Sequence, residues 1–313
     1  MLIILIWFLI FVISMAALIV ASDYFTDAAE KLGVLIGLQP FIIGVTIVSI
    51  GTSLPELISS ILAVLEGSPG IVIGNVVGSN IANIFLILGT ASVISRQLSI
   101  NYDLTSVDLP LFVGSAFLLA LMVSDGDFTR GEAVLALLGF GVYLFYTFNT
   151  SHDNPEIEEV KQDRATTVRQ SIILVISAFF IYLGANYTIK SVIQLSEILE
   201  IGEEIVAITA LALGTSLPEL MVTFNLAKKG NPEIAVGNVL GSNIFNSLMV
   251  MGVPGLMQTL NVPDSILNHG IPVMLVATIL FFFVTQDKKV TKWEGWLFFI
   301  FYAWFIGKVF GGF

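Results

Sequence analysis

Apolar segments of bilayer length follow one another along the whole chain, and this feature constrains the fold most. A helix needs about 20 consecutive apolar residues to cross the hydrocarbon core of a membrane. Only 12% of the 313 residues are charged, whereas soluble domains usually carry about 25%. A soluble core of this size could not bury so many apolar runs. We therefore predict ten membrane spans: Leu2–Ala21, Phe41–Leu65, Ile71–Ile94, Leu109–Val123, Ala133–Phe148, Ile172–Leu183, Ile205–Ala227, Ile234–Met257, Ile271–Val284 and Trp296–Ile306.

The first run lacks the features of a secretory signal. It has no basic residues before it and no small-residue cleavage site before Asp23, so we interpret it as a true span. The chain has no cysteine, which excludes disulfides and thiolate metal sites. Its net charge of −11 argues against nucleic acid as a partner, and no obligate protein partner is implied.

The sequence contains an internal duplication. The heptapeptide GTSLPEL occurs at Gly51–Leu57 and again at Gly214–Leu220. The same shift of 163 residues carries Ile71–Gly89 onto Ile234–Gly252 with ten identities in 19 positions and no insertion. Similarity at a fixed period indicates repeated structural units. We predict a first five-helix repeat over 1–148, a short acidic cytoplasmic linker over 149–169 and a second five-helix repeat over 170–313.

An odd number of spans in each half predicts that the second half enters the membrane with the opposite orientation. The predicted fold class is therefore an all-α polytopic membrane protein, with ten transmembrane helices as two inverted five-helix repeats. Secondary transporters commonly use this plan and bind their substrates near mid-membrane. With alternating loops, ten of the 13 lysines and arginines lie on one side, and only Arg130, Lys190 and Lys308 on the other. Basic loops are cytoplasmic, which predicts a plasma-membrane protein with both termini outside.

Two glutamates, Glu56 and Glu219, lie inside predicted spans at matching positions of the two repeats. A carboxylate at mid-bilayer costs about 2.5–3.5 kcal/mol on insertion scales. No lysine or arginine lies within a predicted span to balance these charges, so the positive charge must come from bound cations or protons. A protonated pair of glutamates that only bridges two helices is the alternative interpretation.

Oxygen-bearing side chains accompany both glutamates at helical spacing. Hydroxyls precede each glutamate by four and three residues, on the same helical face, and a serine and an asparagine recur four residues apart in the second conserved block. Oxygen ligands suit hard cations such as Ca²⁺ and Na⁺, whereas zinc and copper favour Cys and His. Each hydroxyl could instead bond back to its own helix. These candidate ligands are Thr52, Ser53, Ser79 and Asn83, with Thr215, Ser216, Ser242 and Asn246 in the second half.

Two other sets of residues have structural interpretations. Asparagines in the second block can pin neighbouring helices together, and glycines at G-x-x-x-G spacing allow helices to pack closely. Pro55 and Pro218 free one carbonyl each, at Gly51 and Gly214, where the glycine is expected to let the backbone bend towards an ion. The asparagines are Asn75, Asn80, Asn238 and Asn243, and the paired glycines are Gly74, Gly78, Gly237 and Gly241.

These motifs resemble the cation/calcium antiporter superfamily, and specifically the prokaryotic sodium/calcium exchangers. Both repeats of that family carry G-T-S-x-P-E followed by G-S-N-x-x-(N/D), which Gly51–Glu56 with Gly78–Asn83 and Gly214–Glu219 with Gly241–Asn246 match. The resemblance implies a transporter, not an enzyme, without cofactors, in which inward sodium flow extrudes calcium by alternating access. It implies that the candidate residues above line the ion site, together with the backbone oxygens of Ser49 and Ala212.

The resemblance is incomplete at one position. Some relatives carry an aspartate where this chain has Asn246, and in the potassium-dependent branch that acid is tied to potassium use, so we expect no potassium co-transport. A proton/calcium antiporter is the alternative function. An intramembrane enzyme is a remote one, because the nearest match to a membrane aspartyl-protease motif, Ser124–Asp127, lacks its first glycine.

Overall fold

The computed structural model describes residues 2–35, 37–65, 67, 69–104, 107–151, 164–198 and 203–309, which are predominantly helical. The helices are α1 (Leu2–Leu35), α2 (Pro40–Leu65), α3 (Gly70–Ser95), α4 (Asp108–Met122), α5 (Arg130–Ser151), α6 (Arg164–Ile198), α7 (Glu203–Lys229), α8 (Pro232–Met257), α9 (Ile266–Thr285) and α10 (Lys292–Val309). Helices α2, α3 and α8 each contain a π-helical turn, and α9 begins with one.

Seven helices of the described chain are long and apolar enough to cross a bilayer, namely α1, α2, α3, α5, α6, α8 and α9. Helix α4 is apolar but has only 15 residues, and α7 and α10 are not among the seven. The chain is therefore a helical, multi-pass membrane protein, while the ten-span count stays a prediction.

The helices extend beyond the predicted apolar runs. Helix α6, for example, runs over Arg164–Ile198, where the apolar pattern predicted Ile172–Leu183. Polar residues at the membrane interface continue a helix because its backbone groups remain paired there. Most of the predicted linker, residues 152–163, lies outside the described residues, and α5 and α6 take up its two ends.

Two short antiparallel ribbons, which were not predicted, join loops of the two halves. Strand β1 (Gln97–Ser99) pairs with β4 (Lys289–Thr291), and β2 (Asp127–Phe128) pairs with β3 (Leu260–Asn261). The first ribbon links the α3–α4 connection to the α9–α10 connection, and the second links α4–α5 to α8–α9. Each ribbon therefore holds one loop from each half at the same end of the helical bundle.

The packing follows the duplication. Helices α3 and α8 are largely buried at the centre; α3 packs against α10, and α8 packs against α5 in the same way. Helix α1 lies along α6 at the outside. Large apolar side chains such as Phe8, Phe145 and Ile300 are exposed on the outer helices, where lipid would cover them.

The glycine pairs at G-x-x-x-G spacing differ between the halves. A Cβ atom built on Gly237 would lie 2.5 Å from the carbonyl oxygen of Phe41, and one on Gly241 would lie 2.6 Å from that of Val45. These glycines therefore allow α8 to contact α2, as predicted. The same prediction is wrong for the first half. The nearest atom to a Cβ on Gly74 is a side-chain methyl at 3.9 Å, and no described atom lies within 4 Å of one on Gly78.

Candidate ion-binding site

The two predicted glutamates lie on α2 and α7, which contact each other in the bundle interior. Glu56 and Glu219 are each only 1% exposed. The hydroxyl of Ser53 on α2 donates a hydrogen bond to Oε1 of Glu219, at 3.0 Å. This bond crosses between the halves and brings the two GTSLPEL motifs together.

Many oxygens in this region have no hydrogen-bond partner. Among the residues that the structure describes, both carboxylate oxygens of Glu56 and Oε2 of Glu219 are buried and unpaired. A buried polar group without a partner loses the full free energy of its hydration, so clusters of such groups indicate a ligand. The other unpaired side-chain oxygens at predicted ligand positions belong to Asn83, Ser216, Ser242 and Asn246.

Both predicted asparagine ligands begin a π-helical turn. These turns cover Asn83–Leu88 in α3 and Asn246–Val250 in α8, and their first residues are 163 positions apart. A π-helical turn interrupts the regular α-helical hydrogen bonding and is frequent at functional sites. Asn83 and Asn246 are therefore equivalent in local structure as well as in sequence.

The hydroxyls of the first half partly serve the helix backbone. Oγ1 of Thr52 lies 3.3 Å from the carbonyl oxygen of Ser49 and 3.3 Å from Oδ1 of Asn238, whereas the hydroxyl of Ser49 bonds back to Val45. Thr52 thus connects the predicted backbone ligand at Ser49 to α8. Gly51 lies within the α-helical part of α2, Ser49–Leu65, which also contains Pro55, and the predicted bend there stays a prediction. The irregular turn lies at Gly44–Val48.

A Cβ on Gly51 would meet the ring of Phe25 at 2.6 Å, so Gly51 serves close packing against α1. Ser79 and Ser242 are both buried on α3 and α8, one helical turn before the asparagines. The side chains of Thr215 and Ala212 lie outside the described residues, so their predicted roles stay predictions.

Three asparagines pin neighbouring helices, as predicted. Asn75 donates to the hydroxyl of Ser60 at 3.4 Å, and the repeat-related Asn238 donates to Thr223 at 2.8 Å. The sequence contained a signal for these hydroxyl partners, since each follows a buried glutamate by four residues on the same helical face.

Asn80 donates to Ser247 at 2.9 Å and so joins the two halves. The fourth asparagine, Asn243, instead bonds back to Val239 of its own helix.

The charges of this region match a bound cation. Within the described part of the chain no lysine or arginine is buried, so no basic side chain described there balances the two glutamates. No group of three or more His, Asp or Glu side chains that could hold a metal ion is found among the described residues. The arrangement offers two carboxylates with hydroxyl and amide oxygens, which suits a hard cation that must also be released.

The chain is similar to known membrane proteins over nearly its whole length. The family described as Sodium/calcium exchanger protein matches residues 6–149 and 170–310. Sodium/calcium exchanger MaX1 of Methanosarcina acetivorans is 33% identical, over 97% of this chain and 98% of its own length. Inner membrane protein YrbG of Escherichia coli is 30% identical over 86% of each chain. The solved structure of the sodium-calcium exchanger NCX_Mj, soaked with Na⁺ in the absence of Ca²⁺, superposes with a TM-score of 0.86 at 28% identity, covering 96% of this chain and 97% of that one.

Proposed function

This chain belongs to the sodium/calcium exchanger family, and we propose that it is an antiporter that exchanges sodium for calcium across the membrane. In this proposal Glu56 and Glu219 share the transported ion. Inward sodium flow drives calcium out of the cell. Hydroxyl, amide and backbone oxygens complete the site, from Ser49, Thr52, Ser53, Ser79 and Asn83 and from Ala212, Thr215, Ser216, Ser242 and Asn246.

The observation that carries the proposal is the charge balance at the centre of the bundle. Two carboxylates are buried together, and most of their oxygens are unpaired among the described side chains. One Ca²⁺ would neutralise both charges and engage these oxygens. Two or more Na⁺ ions would do the same, so the two kinds of cation can compete for one site, which antiport requires.

A difference between the halves supports alternating access. Ser53 bonds to Glu219, whereas the repeat-related pair, Ser216 and Glu56, forms no such bond among the described residues. Gly237 and Gly241 of α8 pack tightly on α2, while a Cβ on Gly74 of α3 would meet only a side-chain methyl at 3.9 Å and one on Gly78 would meet no described atom within 4 Å. We infer that the halves exchange these arrangements when the site opens to the other side, as inverted repeats allow.

The loop contacts support ten spans with alternating direction. Nζ of Lys229, at the end of α7, lies 2.7 Å from carboxylate oxygens of Asp23 and Asp27 in the C-terminal half of α1. The ribbon of β1 with β4 likewise groups the ends of α3 and α9. The hydroxyl of Ser95 at the end of α3 also donates to the carbonyl oxygen of Ala227 near the end of α7. The C-terminal parts of α1, α3, α7 and α9 therefore lie on one side, and we propose that this basic side is cytoplasmic, with both termini outside the plasma membrane.

The test is uptake of radioactive calcium into sodium-loaded proteoliposomes, with and without an outward sodium gradient. We expect gradient-dependent uptake, and we expect Glu56→Gln and Glu219→Gln each to abolish it, since each removes half of the balancing charge but keeps the side-chain shape. Glu132→Gln is the matched control, because that glutamate is at the surface, where it accepts hydrogen bonds from Thr129 that a glutamine can also accept.

Near-normal uptake by either buried-site variant, with folded protein verified by size-exclusion chromatography, would contradict a shared site. Uptake driven equally well by a proton gradient without sodium would favour the proton/calcium alternative.

A further inference from the structure

A lateral groove runs along the outside of the bundle between α3, α9 and α10. Its upper part has a volume of about 520 Å³ and is lined by Gly74, Gly78, His269 and Lys308, among others. Its lower part, of about 510 Å³, reaches Phe85 and other apolar side chains of the same three helices. The two parts share Pro272, Val273 and Trp304 and therefore adjoin; together they are here called the lateral groove.

The lateral groove is polar at one end and apolar at the other. Lys308, His269, Asn268 and Ser265 line the end where α9 begins and α10 finishes. Among its described lining residues there is no Asp or Glu, although the chain as a whole has a net charge of −11. The beginning of α9 also contributes the positive end of a helix dipole. The polar end is therefore suited to an anionic group.

The length of the lateral groove matches one leaflet of a bilayer. Along α10 it extends from Lys308 to Ile300, eight residues, or about 12 Å at 1.5 Å per residue. Half of the hydrocarbon core of a membrane is about 15 Å thick. An acyl chain that descends from a headgroup at Lys308 would therefore lie in the apolar part over most of its depth.

The repeat shows that this space is a specific feature of the first half. Gly237 and Gly241 on α8 are covered by the backbone of α2, whereas their counterparts Gly74 and Gly78 on α3 face the lateral groove. Where Gly241 of the second half meets a helix, Gly78 of the first half borders open space in a groove whose polar end includes Lys308 and His269. We infer that the lateral groove binds one anionic diacyl phospholipid, with its phosphate at Lys308 and His269 and one acyl chain against Gly78 and Phe85.

Native mass spectrometry of the detergent-purified protein tests this inference without depending on transport. The protein is titrated with phosphatidylglycerol or with phosphatidylcholine of the same acyl chains. We expect one phosphatidylglycerol to bind more tightly than phosphatidylcholine, and Lys308→Gln to weaken its binding about fivefold, the effect of one basic residue near anionic lipid.

Lys190→Gln is the matched control. Lys190 is an exposed lysine of α6 that lies over the ring of Tyr187 and away from the lateral groove. The Lys190→Gln substitution should leave lipid binding unchanged. Gly78→Leu, at a position with open space around its Cβ, should weaken binding of both lipids by filling the acyl channel.

Three results would overturn the inference. Equal affinity for the two lipids would contradict recognition of an anionic headgroup. An equal loss of phosphatidylglycerol binding in Lys308→Gln and Lys190→Gln would contradict it as well. Displacement of phosphatidylglycerol by millimolar inorganic phosphate would indicate a simple anion site that needs no acyl chain. Formation of dimers on removal of lipid, blocked by Gly78→Leu, would indicate that a second copy of the chain covers the groove.

Discussion

Alanine at Gly241 and alanine at Gly78 should have opposite effects on stability, although the two glycines occupy equivalent positions of the repeat. The new methyl group at Gly241 would lie 2.6 Å from the carbonyl oxygen of Val45 and from the hydroxyl of Ser49. The carbonyl belongs to the backbone of α2, so the two helices must separate to accept it. The methyl group at Gly78 meets no described atom within 4 Å.

The expected difference follows from two terms. Alanine in place of glycine inside a helix stabilises by about 0.5–1 kcal/mol through chain entropy, and both variants gain this term. Overpacking a tight contact costs about 1–3 kcal/mol, and only Gly241→Ala has this cost. We expect the two variants to differ by about 2 kcal/mol. For a chain of this length this corresponds to a difference of about 3 °C in the midpoint of thermal unfolding.

The measurement is thermal unfolding of the two purified variants in one detergent, followed by tryptophan fluorescence at one heating rate. Gly241→Ala should unfold below the unsubstituted protein and Gly78→Ala at or above it. Equal shifts in the two variants would refute the argument that Gly241 packs against α2 while its counterpart Gly78 faces open space. If the halves exchange arrangements during transport, Gly78→Ala should also slow calcium uptake while its unfolding midpoint is retained.

Three further predictions concern the ion site. Acid pH should lower the apparent calcium affinity, because protons compete for the carboxylates of Glu56 and Glu219; an inhibition that persists at saturating calcium would locate the protonated groups elsewhere. Replacing potassium by choline at a fixed sodium gradient should leave calcium uptake unchanged. Two carboxylates balance one Ca²⁺ but not an additional K⁺. Asn246→Asp, which adds a third carboxylate, should alter cation selectivity more than folding. In calcium-free buffer Ser53→Ala should destabilise the protein by about 1.5–3 kcal/mol, the contribution of a hydrogen bond to a charged group. Ser216→Ala, which removes no such bond, is the control. Equal unfolding midpoints of the two variants would contradict the observation that only Ser53 of this pair bonds to a glutamate.

The sequence alone predicted the helical membrane fold and the residues at its centre. Glu56 and Glu219 were predictable because a buried carboxylate without a basic partner is costly in a membrane, so its presence at two repeat-related positions needs a reason. The interhelical roles of Asn75 and Asn238 were predictable on similar grounds, because a buried amide group also requires a hydrogen-bond partner.

What differs between the halves could not be predicted in this way. The repeats place Gly78 and Gly241 in the same local sequence, but one faces an open groove and the other faces the backbone of a neighbouring helix. A symmetric sequence can adopt two asymmetric arrangements of similar free energy, and local patterns do not state which half takes which. The π-helical turns were also missed, because the residues after Asn83 and Asn246 are as apolar as the rest of their helices.

Those two turns also bear on the ancestry of the chain. Both start at the same position of the repeat, at Asn83 and Asn246. A π-helical turn holds one residue more than the α-helical turn it replaces, and we infer that both turns descend from one insertion that preceded the doubling of the gene. In the ten-span arrangement proposed above, two half-length copies of opposite orientation would then have been needed to complete one central site.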